Sequence, residues 1–431
     1  MDTKQIGKYI ANLRKSQGYT QETLAAELGI SAQAVSKWET GTGLPEASLL
    51  LSLSKLFRVG IDELLCNPYS TNTIEDFMLH NLCIPESKSI NGVPRISRWN
   101  PPEGCDMFYS MPAMMAQILC YTETYEQGAS LPVPMSALNE RFCDLMHYTG
   151  IAYGFLWEDD RHVIEELWRV HDYADMIERV MRFYGRNYLW LTSENSTPDQ
   201  MRRAMCWSIN RGHPVMAEFV GGLPEFSVIT GYENSGNTVI GVTYCEECAA
   251  RMTDEGFFVN PARWDENFDM NMLIPGDKCE PVYTEKDSIA FALEMLTQST
   301  PVHRDYRTFK FTSGDDALRM WLDACDTYER AHDLFFGHTV YAYALMQNTI
   351  YTQKCLQSHL KKISVNYNRE VAGVIIQIGI AIDRITSERN GLASVKDDRE
   401  NFLPAARAHI QHMLDYRGYL RGWLGEMYEL M

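Results

Sequence analysis

The chain has 431 residues, 45% of them apolar, and a formal charge of −18. That length exceeds one ordinary domain, so two or three are expected, and the apolar share excludes a disordered chain. The acidic excess excludes phosphate binding over most of the surface.

The charge is uneven. Through Cys66 the chain carries seven basic and seven acidic side chains, so the remaining 365 residues hold the whole −18. Contact with nucleic acid is therefore expected only near the N-terminus. Eleven cysteines, an odd and scattered number, suit a reduced intracellular protein rather than a disulfide framework. The opening MDTKQIGKYI has no apolar run for a signal peptide, and no stretch approaches the twenty apolar residues of a membrane span. A cytoplasmic protein without membrane contact is expected.

Residues 4–16 predict a first helix with Ile6, Ile10 and Leu13 on its inner face. In residues 20–41, Leu24, Ala25, Leu28, Ile30 and Val35 are the apolar positions of a short helix, a tight turn and a second helix. Gly29 sits at the turn, where lack of a Cβ permits positive φ, and Ser31 can cap the second helix. Gln33, Ser36 and Lys37 then fall on its outer side, and Trp38 packs inward. Pro45 can begin a fourth helix carrying Leu49, Leu50, Leu53 and Leu56, and Ile61 to Leu65 predict a short fifth. Two helices joined in this way form a helix-turn-helix, whose second helix enters a DNA major groove.

Residues 4–65 resemble the helix-turn-helix regulators of the Cro and phage-repressor (XRE-like) type. The likeness is carried by Ile6-Gly7-Lys8-Tyr9-Ile10, Leu13-Arg14, Tyr19-Thr20-Gln21, Leu24-Ala25, Gly29-Ile30-Ser31, Val35-Ser36-Lys37-Trp38-Glu39 and Pro45. The resemblance implies double-stranded operator DNA as partner and Gln21, Gln33, Ser36 and Lys37 as the DNA-facing residues; the neutral first domain and acidic body make a homodimer the expected binding form.

Residues 67–106, punctuated by five prolines between Pro68 and Pro102 and by Gly104, predict a linker, with a short helix near 74–82. Residues 107–313 predict a mixed α/β domain. Helices are expected over 111–119, 138–145, 165–183 and 201–210, then strands over 214–220, 225–232 and 238–244. Asn234-Ser235-Gly236-Asn237 turns the last two into an antiparallel hairpin. Residues 308–312 predict a returning edge strand. Residues 314–431 predict a helical bundle on that domain, with Ser313 as a cap and helical patterns over 337–361, 367–386 and 400–429. The apolar run 371–382 predicts a buried helix. The expected fold class is thus multidomain: an all-α head over 1–66, an α/β middle domain and a C-terminal bundle.

The middle domain resembles the papain-like fold of bacteriocin-leader peptidases and, more closely, the butirosin-type acyltransferases. Ser110 to Leu119 look like that family's nucleophile helix, and residues 209–233 like the strands leading to its catalytic histidine. The resemblance places Ser110 at the cysteine position and Glu225 at the histidine position. The orienting carboxylate or amide falls near Gly241 or Thr243, which cannot serve. Serine ionises far less readily than cysteine, and an ordinary glutamate is a weak base for it. The expectation is a retained pocket whose chemistry is lost, sensing a small molecule or peptide. Alternatives are an active acyltransferase or peptidase with a regulatory head, and a pure interaction protein.

Cys245-Glu246-Glu247-Cys248 is one CxxC, short of the four ligands of a structural zinc site. Glu329 with His332, and His409 with His412, have metal-ligand spacing but too few companions. Trp157 to Asp160 predict a solvated turn, and Tyr341, Tyr343 and Tyr351 predict core packing or a pocket wall. No cofactor and no metal site are expected.

Overall fold

Chain segments with their own apolar cores separate into two compact units in the computed structural model, Met1–Phe77 with Asn187–Leu189, and Met78–Arg186 with Trp190–Met431. The structure describes residues 6–7, 10–11, 13–14, 19–57, 84–94, 110–153, 156–158, 163–165, 173–218, 220, 226–243, 250–262, 270–297, 302–303, 310–327, 355–362, 367–394 and 399–431.

In the first unit α1 is helical at 6–7, 10–11 and 13–14, followed by α2 (Gln21–Leu28), α3 (Ala32–Glu39) and α4 (Ala47–Phe57). Ile6, Ile10, Leu24, Ala25, Val35, Trp38, Leu53 and Phe57 bury one cluster, with Leu13, Leu28, Ile30 and Leu49 at its margin. Each large apolar side chain buried this way contributes about 1.5–3 kcal/mol. Pro45 precedes α4 rather than opening it. The Glu46 carbonyl accepts from the N–H groups of Leu49 and Leu50, each at 2.9 Å, and so stands at the helix start. The expected fifth helix at 61–65 and the helix near 74–82 lie outside the described residues.

The second unit is built on β5 (Val215–Glu218), β6 (Phe226–Glu233) and β7 (Thr238–Thr243), which pair antiparallel in that order. The turn at Asn234–Gly236 joins β6 to β7, with Asn234 and Ser235 at positive φ. These are the three strands and the hairpin expected from sequence. The sheet extends through β8 (Phe258–Pro261) on β7 and through β9 (Asn271–Lys278) on β5, and Arg186 and residues 190–192 of β4 (Arg186–Thr192) belong to this unit. Inside the stretch read as a linker, β1 (Lys88–Ser89) pairs with β6, and Ile90 and Val93 are buried.

Ser110 opens α5 (Ser110–Glu126), which packs against β5, β6 and β9. Met111, Met114, Met115, Ile118, Leu119 and also Gln117 are buried, the signature of a helix enclosed on all sides. α6 (Met135–Tyr148), α7 (Tyr173–Tyr184), α8 (Pro198–Asn210) and α9 (Glu285–Thr297) complete this part.

Several expectations are corrected here. The helix expected from 165 begins at Tyr173, because Val163–Glu165 form β3, paired with β2 (Leu156–Glu158). Trp157 therefore stands in a strand and not in a turn. The strand expected near 308–312, observed as β11 (Lys310–Ser313), does not return to the main sheet. It lies between β2 and β10 (Val302–His303) in a second, four-stranded antiparallel sheet. Ser313 ends that strand, and α10 (Gly314–Thr327) follows directly.

α11 covers 355–362, followed by α12 (Arg369–Ser394) and α13 (Arg399–Leu430). α13 packs on α9, α10 and α12. The run 371–382 is not buried all round: Ile376 and Ile380 are 61% and 59% exposed, because α13 covers only the face with Val371, Val374, Ile375, Ile378 and Ile382. No described helix is long and apolar enough to cross a membrane. His409 is buried while His412 is exposed, so those two do not form a ligand pair. Cys245 to Cys248, Glu329 with His332, and Tyr341 to Tyr351 lie outside the described residues.

Candidate nucleic-acid interface

Local chemistry sets the angle between α2 and α3. Thr20 caps α2 with a reciprocal pair of bonds: its hydroxyl accepts from the Thr23 N–H at 3.1 Å, and the Thr23 hydroxyl accepts from the Thr20 N–H at 2.7 Å. Gly29 ends α2 at φ 68°, a left-handed conformation that a Cβ would oppose. The Ile30 N–H returns to the Ala25 carbonyl at 2.9 Å, closing the turn. Ser31 takes extended backbone, and its hydroxyl accepts from the Ala34 N–H at 3.3 Å, starting α3. Replacing Ser31 with alanine is expected to cost about 1 kcal/mol of stability, read as a lowered denaturation midpoint.

On α3 the buried side carries Val35 and Trp38. Gln33 and Lys37 are exposed and Ser36 is half-buried, so the spacing i, i+3, i+4 sets all three on the face away from the core. At the far end of α3, the Lys37 carbonyl accepts from the N–H groups of Thr42 and Gly43 at 2.9 and 3.2 Å. That holds the following loop against the helix terminus.

A network not foreseen from sequence ties this face to the rest of the unit. Arg14, on α1, grips Glu39, the last residue of α3, through Nε at 2.6 Å and Nη2 at 3.1 Å. Its Nη1 donates to the Tyr19 carbonyl at 2.7 Å. The Glu39 hydrogen bond raises the Arg14 pKa above its usual value, outweighing the cost of burial. Gln21 Nε2 donates to Glu39 Oε2 at 2.7 Å. The Gln21 amide expected to face DNA is thus engaged within the protein, and what its position at the start of α2 leaves for a phosphate is the helix N-terminus. Arg14 and Glu39 are separated by 25 positions, so no local pattern announces the pair.

Gly7 lies where α1 crosses the end of α3. A Cβ there would stand 2.0 Å from the Trp38 carbonyl oxygen and 2.9 Å from that of Glu39. Only glycine allows that approach.

The two positions assigned by the papain-like resemblance differ in what can be described. Ser110 is the first residue of α5, and Glu225 lies outside the described residues. Gly241 pairs with Ile229 and Thr243 with Ser227 in the β6–β7 ladder.

Residues 10–64 match the helix-turn-helix family. A stretch of 61 residues is 44% identical to the HTH-type transcriptional activator BcrR of Enterococcus faecalis, covering 14% of this chain and 30% of that protein. Over 74 residues the chain is 36% identical to the cryptic phage CTXphi transcriptional repressor RstR of Vibrio cholerae, covering 17% of this chain and 65% of that protein. Over 64 residues it is 36% identical to the uncharacterized HTH-type transcriptional regulator YazB of Bacillus subtilis, covering 15% of this chain and 93% of that protein. The chain therefore spans less than two thirds of the activator and of the phage repressor, and nearly all of the short regulator.

Proposed function

Because the chain belongs to the helix-turn-helix transcription regulators, we propose that it binds operator DNA as a homodimer through α3 and that its second unit senses an effector. The observation that carries the reading is the outward face of α3, where Gln33, Ser36 and Lys37 stand opposite the buried Val35 and Trp38. Glutamine can make a paired hydrogen bond to adenine in the major groove, serine reads an edge less selectively, and lysine meets guanine or phosphate. The N–H groups at the start of α2, beside Gln21, suit a phosphate. The first unit has no net charge of its own through Cys66, which makes one copy a weak binder. Two copies reading two half-sites about 34–36 Å apart, or a multiple of that, supply the affinity.

The test is a titration of wild type, Gln33→Ala and Gln21→Ala against a bound duplex and its single-base variants at several salt concentrations. Q33A is expected to relax preference at one position per half-site and to cost about 1–3 kcal/mol there. Q21A, which removes a contact to Glu39 and keeps the helix N–H groups, is expected to leave base preference unchanged. An unchanged base preference in Q33A removes Gln33 from base reading.

The second unit carries the acidic excess and is read as the sensor of a small molecule or peptide, coupled to DNA through domain or dimer geometry. The papain-like reading of the middle domain rests on the sequence resemblance at 110–119 and 209–233; α5 lying on antiparallel β5 and β6 is common to mixed α/β domains. Serine in place of the family's cysteine supports binding without turnover. A serine-reactive probe is expected to leave Ser110 unlabelled, and Ser110-dependent turnover of an ester, amide or thioester would overturn this.

A further inference from the structure

Three segments distant in sequence converge in the second unit. His147 lies near the end of α6, Glu285 opens α9, and His359 sits in α11. One ligand atom from each lies within 4.8 Å of the other two. Both imidazoles are 1% exposed and stack with centroids 4.1 Å apart.

Each ring is already oriented through its Nδ1. His359 Nδ1 meets Asp144 Oδ1 at 2.8 Å, and Lys362 Nζ holds Asp144 Oδ2 at 2.8 Å. His147 Nδ1 meets the Tyr153 hydroxyl. Glu285 is held as well: Oε1 accepts from the Tyr148 hydroxyl at 2.9 Å and Oε2 from the Ser288 hydroxyl at 3.3 Å. Both Nε2 atoms are left buried without a hydrogen-bond partner. A buried polar atom left so is destabilising, and two on one spot call for a shared partner. His359 Nε2 lies 3.3 Å from Glu285 Oε2 yet lacks hydrogen-bond alignment, as expected if both atoms face a third.

We propose that His147 Nε2, His359 Nε2 and Glu285 Oε2 bind a divalent transition metal ion of the zinc class. Two imidazoles and a carboxylate form a known zinc ligand set with one open position. Bonds of about 2.0–2.2 Å at tetrahedral angles give ligand edges near the 3.3 Å separating His359 Nε2 from Glu285 Oε2. The other two edges, each within 4.8 Å, would shorten on binding. Imidazoles fixed through Nδ1 by a carboxylate and a hydroxyl are the outer partners such ligands use. Glu140, Asp144 and Glu285 against Lys362 leave a net of two negative charges, which one dication balances. The Glu285 side chain is 30% exposed and gives the ion access from solvent. The site would join α6, α9 and α11, and it does not depend on the reading of the first unit.

The test uses the full chain, loaded with zinc chloride and passed through a desalting column, with zinc then measured by mass spectrometry. Wild type is expected to retain about one zinc per chain, and EDTA to remove it with a fall in Tm that added zinc reverses. Glu285→Gln, at a half-exposed helix start, is expected to fold and to lose at least about tenfold in zinc affinity. Asp144→Asn, which touches no metal, is expected to lose about 10–100-fold. His147→Gln is expected to abolish retention. His213→Gln and the double variant Cys245→Ser, Cys248→Ser are expected to keep the ion. No retained zinc in wild type, equal retention in E285Q, or loss only in the cysteine variant would overturn the proposal, leaving the cluster as a protonated His359 between two carboxylates.

Discussion

Replacing Gly7 with alanine is expected to destabilise the first unit by about 2 kcal/mol, although alanine is the better helix former. Two effects compete. In an open helix, Gly to Ala gains about 1 kcal/mol. Here the new Cβ would meet the Trp38 carbonyl oxygen at 2.0 Å, against backbone that cannot swing aside. Overpacking of this kind costs about 1–3 kcal/mol or more, and the contact is far inside any normal approach. The clash wins. α1 must lift from the end of α3, which strains the Arg14–Glu39 pair and the Trp38 packing together. Hydrogen exchange of peptides covering 19–57 should speed up in Gly7→Ala while peptides of the second unit stay unchanged, and DNA affinity should fall with the folded fraction. Equal or slower exchange would show that α1 does not approach α3 this closely.

Glu126→Ala is expected to cost about 2–3 kcal/mol in the second unit. Arg186 is 1% exposed, and Glu126 meets it with both oxygens, at 2.9 and 2.7 Å, while the Gly276 carbonyl accepts a further bond at 2.8 Å. Removing the carboxylate leaves a buried guanidinium with its charge uncompensated, which costs about 3–5 kcal/mol for a fully buried pair. The Glu126 side chain is 28% exposed, so solvent lessens the loss. The pair also sets a pH dependence. The Arg186 hydrogen bond holds the Glu126 pKa below its ordinary 4.5. A depressed pKa gives stability that is full above 4.5 and lost as pH falls through the lower folded value. The Tm gap between wild type and Glu126→Gln should therefore be widest above pH 4.5 and narrow on acidification. Parallel curves would mean that the two charges are not coupled.

The helix-turn-helix was legible because all its determinants are local. The Thr20 cap, Gly29, the Ser31 cap and the apolar spacing through Trp38 lie within one short stretch. The β5–β6–β7 meander was legible for the same reason, through short runs rich in Val, Ile, Phe and Thr and the Asn234–Asn237 turn. What sequence reasoning missed depends on distance along the chain. Arg14, Gln21 and Glu39 meet across three helices, and Gln21 by itself reads as a DNA contact. His147, Glu285 and His359 obey no spacing rule, whereas the motifs with metal-like spacing, such as His409 and His412, face different surroundings. β2 and β3 are three residues each, too short for an alternating pattern to declare itself beside acidic side chains. The run 371–382 reads as buried all round, yet a helix packed on one side leaves Ile376 and Ile380 in solvent.

In the proposed role, α3 reads base sequence in a symmetric operator. Incubating the purified full chain with a genomic fragment library, and sequencing the bound fraction at several salt concentrations, tests it most directly. An enriched palindrome with half-site centres about 34–36 Å apart or a multiple of that is expected, with affinity that falls steeply with salt. Bound fragments without an enriched palindrome, or no binding at any salt with and without cell-extract small molecules, would contradict it.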